Sequence, residues 1–452
     1  MDQPTPTGKL LRALGIAALL SIGIFVTWLM ISDRRSQSDE ARSSIAAGWG
    51  EPQVIAGPEL SIPFKTISAA TTDANGKIVS GPETVERRLI VAPQGVDAAT
   101  RIAPERRARS IYEVVVYHAD TQGRATFALP SDLTRLGVPA GSLELNRAEL
   151  HFGVSDSRGL SANPLVRVGG KALPLGPGGG TSMVNGGFYA PIDLTQLDPA
   201  RFSVDFSFAL RGNGSFAFMP RAGDTAWKLS STWANPSFTG GFLPEQRQVA
   251  KDGFTAAYRI GNLALGRSLL FIEGDEKGNS SDEAVSQARA GVDLMQPVDL
   301  YSQVDRATKY GFLFIGFTFL AFLLFDIIGG VRVVAIEYLL AGAALVLFFV
   351  LLLAFAEVIG FAAAYVVAAG AIAALNTAYS AAVLGSWRRG LVIGAILAAL
   401  YAVLYVLLSL EAYALLIGAL LLLVALAGTM YVTRRLDWTG ERRRVAEEAA
   451  PL

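Results

Sequence analysis

Between Pro297 and Ile328 the chain changes character. Residues 297–309 are polar and charged. Tyr310 to Ile328 is an apolar run of about 19 residues, long enough to cross a hydrocarbon layer as a helix. Its only charge is Asp326. A large polar region lies before this switch, and the chain after it is almost continuously apolar. A sequence built this way cannot bury its second half in a water-soluble core of ordinary size, so the switch divides a membrane part from a solvated part.

The apolar part continues in four further runs, at 336–356, 359–380, 391–410 and 412–432, each of about 20 residues. At the other end, Lys9 and Arg12 precede or open a run at 10–31. That run exceeds the usual apolar core of a signal peptide, and no small-x-small cleavage site follows it, so it reads as an uncleaved anchor. With the run at 310–328 these segments make six crossings. A cytoplasmic N-terminus (1–9) would put 33–305 outside the membrane and return the chain to the cytoplasm with its tail, 433–452. The inner loops then hold Arg332, Arg388 and Arg389, and the tail holds Arg434, Arg435 and Arg442 to Arg444. The outer turns around Glu357 and Glu411 carry no Lys or Arg, the asymmetry expected of inside loops rich in cations. Trp387 and Trp438 would lie at the inner interface. Arg34 and Arg35, just after the first run, pull the other way.

Residues 33–305, about 270 in all, exceed one small core. A short helix is expected near 39–47 and strands thereafter. In RFSVDFSFAL, Phe202, Val204, Phe206, Phe208 and Leu210 alternate with polar residues, the pattern of a half-buried strand. RGNGS (211–215) reads as a hairpin turn, and TQGR (121–124) as a turn between IYEVVVYHAD and ATFALP. AELHFGVSD alternates in the same way. Short strands with Gly, Pro and Asn turns indicate an antiparallel, sandwich-like β domain. Gly176–Gly187 and residues 273–283 read as loops. The expected fold class is therefore a membrane α+β protein: an N-terminal anchor helix, a large extracytoplasmic β-rich domain and a C-terminal five-helix bundle.

Composition narrows the chemistry. There is no cysteine, which excludes disulfides, Cys-ligated zinc, iron–sulfur clusters and a cysteine nucleophile. His118 and His151 are the only histidines, too few for a His-rich metal site. Lys plus Arg and Asp plus Glu each number 39, so the charge gives no reason to expect a nucleic-acid partner. GPGGGTS lacks the lysine of a phosphate loop. No cofactor, metal or catalytic set is expected.

Several blocks, taken in order, resemble the CreD family, the inner-membrane proteins associated with cell envelope integrity. They are DEARSSIAAGWGEPQVIAGPELSIPF (39–64), RRARSIYEVVVYHAD (106–120), GVSDSRGL (153–160), WANPSFTGGFLPE (233–245) and the stretch 297–326, with the ending at 411–438. Three positions depart from the family pattern. Val334-Ala335 replace a His-Pro pair, Asn235 replaces a His, and Ala356-Glu357-Val358 replace a Ser-Glu-His-like turn. No role of those family histidines carries over. The resemblance implies a bacterial inner-membrane, multi-pass protein with residues 33–305 periplasmic and a role in envelope stress and the β-lactam response. It implies no defined reaction.

Candidate sites follow from the residues. Asp326, Glu337, Glu357 and Glu411 lie in or beside membrane runs but near helix ends, where solvation or local pairing accounts for them. Asp326 and Glu337 flank Arg332. Asn376 is the only amide within the C-terminal runs. His118 and Asp120, two apart on an extended chain, could orient a base, yet no nucleophile motif accompanies them and a turn at a strand end explains both. Asp156 and Arg158 fit a structural turn or a ligand site. The segment holding Trp233, Pro236, Phe238 and Phe242 combines prolines, glycines and aromatics in an irregular stretch suited to closing a sandwich or meeting a partner. The function expected is non-enzymatic: the external domain binds an envelope protein or cell-wall component while the helices hold it in the lipid bilayer. Transport or lipid handling by the bundle is the first alternative, and an external hydrolase using Asp120 near Asp156 the second.

Overall fold

The computed structural model describes residues 6–67, 71–72, 78–80, 83–109, 112–130, 133–161, 164–274, 287–295, 300–311, 315–320, 334–383, 385–409 and 414–434. The chain divides into two compact units. One comprises Met1–Asp39 with Val298–Leu452, and the other Glu40–Pro297.

Helix α1 (Pro6–Trp49) runs unbroken for 44 residues. The helix expected at 39–47 is its C-terminal end, because no proline interrupts the chain between Pro6 and Pro52. Its polar stretch is supported by an i,i+4 bond from Gln37 to Asp33 at 2.9 Å.

Nineteen strands follow among the described residues. They are β1 (Gln53–Ile67), β2 (Thr71–Thr72), β3 (Ile78–Ser80), β4 (Thr84–Val91), β5 (Gly95–Arg109), β6 (Tyr112–Phe127), β7 (Ala148–Val154), β8 (Leu165–Val168), β9 (Lys171–Ala172) and β10 (Gly176–Pro177). Then come β11 (Gly187–Ile192), β12 (Phe202–Asn213), β13 (Ser215–Met219), β14 (Asp224–Ser231), β15 (Pro236–Gly240), β16 (Gln246–Ala250), β17 (Gly253–Gly261), β18 (Leu270–Ile272) and β19 (Ala290–Leu294). A short helix α2 (Asn262–Leu265) follows β17. Nine strands form one sheet in the order β10-β11-β7-β1-β13-β19-β15, with β4 on the later half of β1 and β18 beyond β4. Eight form a second, β16-β17-β14-β5-β6-β12-β8-β9.

One apolar core draws on both sheets. Phe152 of β7 stacks on Phe188 of β11 at 4.9 Å and meets Phe206 and Phe208 of β12 edge-on at 5.6 and 6.4 Å. The alternation in RFSVDFSFAL holds: Phe202, Val204, Phe206, Phe208 and Leu210 are all buried. Trp227, 1% exposed, stacks on Tyr258, and its indole N–H donates to the Thr100 hydroxyl at 3.0 Å.

Two expected turns are not hairpins. TQGR lies inside β6, which pairs without a break with β5 and β12. Gly123 is there because the site is crowded, not because the chain reverses. A Cβ on it would meet Phe206 Cζ at 2.6 Å and the Asp97 carbonyl at 2.7 Å. At RGNGS the chain turns at Gly214, φ +63°, but β12 and β13 belong to different sheets, so the turn carries the chain from one sheet to the other.

In the other unit, α3 (Leu300–Lys309) is amphipathic, with Tyr301, Val304, Ala307 and Thr308 buried. Then come α4 (Ala335–Ile359), α5 (Phe361–Val383), α6 (Trp387–Ser409) and α7 (Ala414–Thr433). Among the described residues, four helices are long and apolar enough to cross a membrane: Leu14–Trp49, Ala335–Ile359, Phe361–Val383 and Trp387–Val406. Of the crossing expected at 310–328, residues 315–320 are helical, and 312–314 and 321–328 lie outside the described residues. Asp326, Arg332, Glu411, Trp438, the arginines from Arg435 onward and loop residues 275–283 lie outside them as well.

Candidate functional site

The outward face of the eight-stranded sheet carries two adjoining depressions. Strand register sets its composition. One row across the sheet reads Gln246, Ala257, Lys228, Ala99, Gln122, Ser207, and the next reads Gln248, Thr255, Ser230, Arg101, Asp120, Ala209. Their neighbours along each strand, such as Leu229, Thr121 and Phe208, point to the core. Small side chains form the floor and long polar ones rise around it, leaving a trough of about 820 Å³. A second depression of about 760 Å³ shares Ala99, Gln122 and Ser207 with the first and extends it.

The two halves differ electrostatically. In the second, Arg124 pairs with Asp205 through two bonds, 2.6 and 3.2 Å, and Arg259 pairs with Asp224 at 2.9 Å. The Arg124 bond holds the Asp205 carboxyl below its ordinary range. In the first, Arg101 and Lys228 form no ion pair among the described residues, although Arg101 stands opposite Asp120 in the ladder. The two outward rows carry no aromatic ring, so they can engage a ligand by amide and hydroxyl hydrogen bonds and by Arg101 and Lys228, and Arg247 also lines the trough. Apart from Asp120, named in the sequence beside His118 and in the hydrolase alternative, its residues carry no sequence signal of a site. Each is an ordinary polar position on a strand, and only the register brings them together.

A second constellation joins two of the sequence blocks. Asp156 caps the 3₁₀ turn Ser157–Gly159, accepting from the Arg158 N–H, and pairs with the Arg158 guanidinium at 2.9 Å. It also accepts from the Glu51 N–H at 3.0 Å. Burial alone would raise its carboxyl pKa, but the bonds from Arg158 and the Glu51 N–H outweigh it and leave the group below the ordinary aspartate range. Gln53, fully buried, donates through Nε2 to the carbonyls of Asp156 and Arg211 at 3.1 and 2.9 Å. Trp49, at the end of α1, lies under the Arg107 guanidinium at 3.7 Å and meets His118 edge-on at 5.1 Å. Asp156 and Arg158 thus fasten the passage from α1 into β1. His118 is in the middle of β6 rather than at a strand end.

The third candidate segment differs from its expected form. Pro236–Gly240 is a regular strand paired with β19. Trp233 is 9% exposed and donates its indole N–H to the Met295 carbonyl at 2.9 Å. Phe238 packs edge-on against Phe254 at 5.6 Å, and Phe242 packs on the core. These aromatics are drawn inward because β15 completes an edge of the nine-stranded sheet. Trp233 follows β14 and Asp156 follows β7. In the nine-stranded sheet β15 stands four strand spacings from β7, roughly 19 Å, so the aromatic segment and Asp156–Arg158 do not form one site.

In the helical unit, Glu337 caps α4 by accepting from the Val334 N–H at 2.9 Å. Glu357 accepts from the Tyr301 hydroxyl at 3.1 Å and faces Arg34 at 4.0 Å. Both acids have local partners. Asn376 and Ser380, four apart on α5, are 2% and 1% exposed. No group of three or more His, Asp or Glu residues suited to a metal ion occurs among the described residues.

Comparison with known proteins places these features. The family model described as "Inner membrane protein CreD" matches residues 5–439. The chain is 31% identical over 430 residues to the inner membrane protein CreD of Escherichia coli (strain K12), covering 95% of this chain and 93% of that protein. A match that takes in the N-terminal helix, both sheets and the apolar helices together shows that the chain belongs to the CreD family of inner membrane proteins.

Proposed function

We propose that this protein supports cell envelope integrity, under envelope stress and in the response to β-lactams, by binding rather than by catalysis. The β-rich, sandwich-like domain is periplasmic and holds an envelope protein or cell-wall component. The anchor and a five-helix bundle keep it at the inner membrane, with both termini cytoplasmic. One observation carries this reading: the trough on the eight-stranded sheet, with Arg101 and Lys228 in no ion pair among the described residues and small residues between them. It is preferred to the segment at Trp233, where Trp233 is buried and Phe238 and Phe242 pack partly on the core. A photo-crosslinking residue at Gln122 or Ser230 should give an adduct in cells that is lost in an Arg101→Glu, Lys228→Glu variant. Adducts no different from those at Lys251, outside the trough, would refute the assignment.

The transport or lipid-handling reading has one observation in its favour. Asn376 Nδ2, Ser380 Oγ and Thr318 Oγ1 are buried without hydrogen-bond partners among the described residues. Polar groups in such a position inside a membrane unit are costly unless something satisfies them. The ring of Tyr338 packs on Phe319 at 5.4 Å, which brings α4 beside the Thr318 segment. Replacing Asn376 and Ser380 by apolar residues tests this reading, which requires function to be lost.

A further inference from the structure

The glycine-rich loop between β10 and β11 is fastened to the nine-stranded sheet. His151 Nδ1 lies 2.5 Å from the Gly179 carbonyl. Glu59, 3% exposed, accepts from the Ser182 N–H at 2.8 Å and from its hydroxyl at 2.7 Å. Glu59 in turn faces the buried Arg221, 3.5 Å away. The next loop residue, Met183, presents its thioether sulfur to two guanidinium groups. Arg267 Nη1 is 2.7 Å from Sδ and Arg221 Nη1 is 3.6 Å from it. A thioether is only a weak acceptor. Glu59 accounts for Arg221 at this point, whereas Arg267 has no ion pair among the described residues and residues 178–186 carry no acid for it.

We propose that Met183 is a modification site, oxidised to the sulfoxide by a two-electron oxygen donor of the peroxide class, and that the sulfoxide tightens the loop on the sheet. The sulfur gives up two electrons and gains one oxygen. The peroxide O–O bond breaks, one oxygen forms the S–O bond, and the other leaves as water with both protons. The product places a strong acceptor where Arg267 and Arg221 already converge, and a polar sulfoxide is the form of methionine such donors favour. Met183 is partly exposed, so an oxidant reaches it, whereas Met219 is 2% exposed. Met295, 54% exposed, gives an internal reference for oxidation set by access alone.

Full-length protein in detergent, treated with hydrogen peroxide, tests this by peptide mass spectrometry and hydrogen exchange. Met183 should convert to the sulfoxide, and exchange at the Ser182 and Val184 amides should then slow by about tenfold, the order of one charge-assisted hydrogen bond. Arg267→Gln should abolish the slowing. Met183→Gln, which supplies a neutral acceptor without oxidant, should show it, and Met183→Leu should not. The proposal is overturned if Met295 oxidises while Met183 does not. It is equally overturned if a fully oxidised Met183 leaves loop exchange unchanged or faster, or if Gln and Leu behave alike.

Discussion

The backbone N–H of Gln53 donates to the Tyr117 hydroxyl at 3.2 Å, and that hydroxyl donates onward to the Ser215 carbonyl at 2.6 Å. One phenol therefore links the first residue of β1, the middle of β6 and the start of β13, and so ties the two sheets where the chain leaves α1. Tyr117 is fully buried, and burial pushes its phenol pKa well up, so it stays a neutral donor. Tyr117→Phe leaves the Gln53 N–H and the Ser215 carbonyl without this partner. The β unit should lose about 1–3 kcal/mol in denaturant unfolding with little change in shape.

Asp156 makes the same junction sensitive to acid. Its carboxyl pKa is lower in the folded protein than in the unfolded chain. Such a group adds stability that is fully present above the unfolded value, about 3.9, and is lost as the pH falls through the folded one. The stability difference between wild type and Asp156→Asn should hold at neutral pH and shrink below about pH 4. Denaturation midpoints measured across that range check it. A difference that stays constant into acid would assign the effect of the substitution to something other than the charge.

Gly123 separates a crowded strand from a turn. If TQGR were a hairpin, the cost of Gly123→Ala would come from turn strain and be independent of Phe206. In the middle of β6 the new methyl meets Phe206 and the Asp97 carbonyl, and overpacking of this kind costs about 1–3 kcal/mol. Pairing the change with Phe206→Leu should recover only part of the loss, because it removes the ring atom and leaves the contact with the Asp97 carbonyl of β5.

These positions also show what the sequence could and could not reveal. The period-two burial along β12 and β7 was legible because each of those strands has one face on the core and one on solvent. Four of the six expected crossings, the first run and those at 336–356, 359–380 and 391–410, fall on helices long and apolar enough to span a membrane, and they were legible because lipid demands long uncharged runs. Gly123 and Gly214 were misread for one reason: a glycine that relieves crowding and one that passes the chain between sheets look the same as a hairpin glycine until the partner strands are known. The unbroken α1 was missed because its polar half has no apolar stripe to announce a helix. The trough was invisible for a related reason. Arg101, Gln122, Ser207 and Lys228 come from four strands, β14 pairs with β5 in parallel, and no local pattern encodes that register. Asp156 and Trp233 stood out as residues because their blocks are rich in turn formers and aromatics, but the same features that made them conspicuous are consumed in capping and packing.

The most direct test of the binding account is rescue of a deletion strain, scored by envelope leakage and β-lactam tolerance, with membrane levels matched. Arg101→Glu with Lys228→Glu should fail to rescue, and Asn376→Leu with Ser380→Ala should rescue as wild type does. The reverse outcome, with the trough variant active and the bundle variant inactive, would contradict the account and move function into the membrane helices.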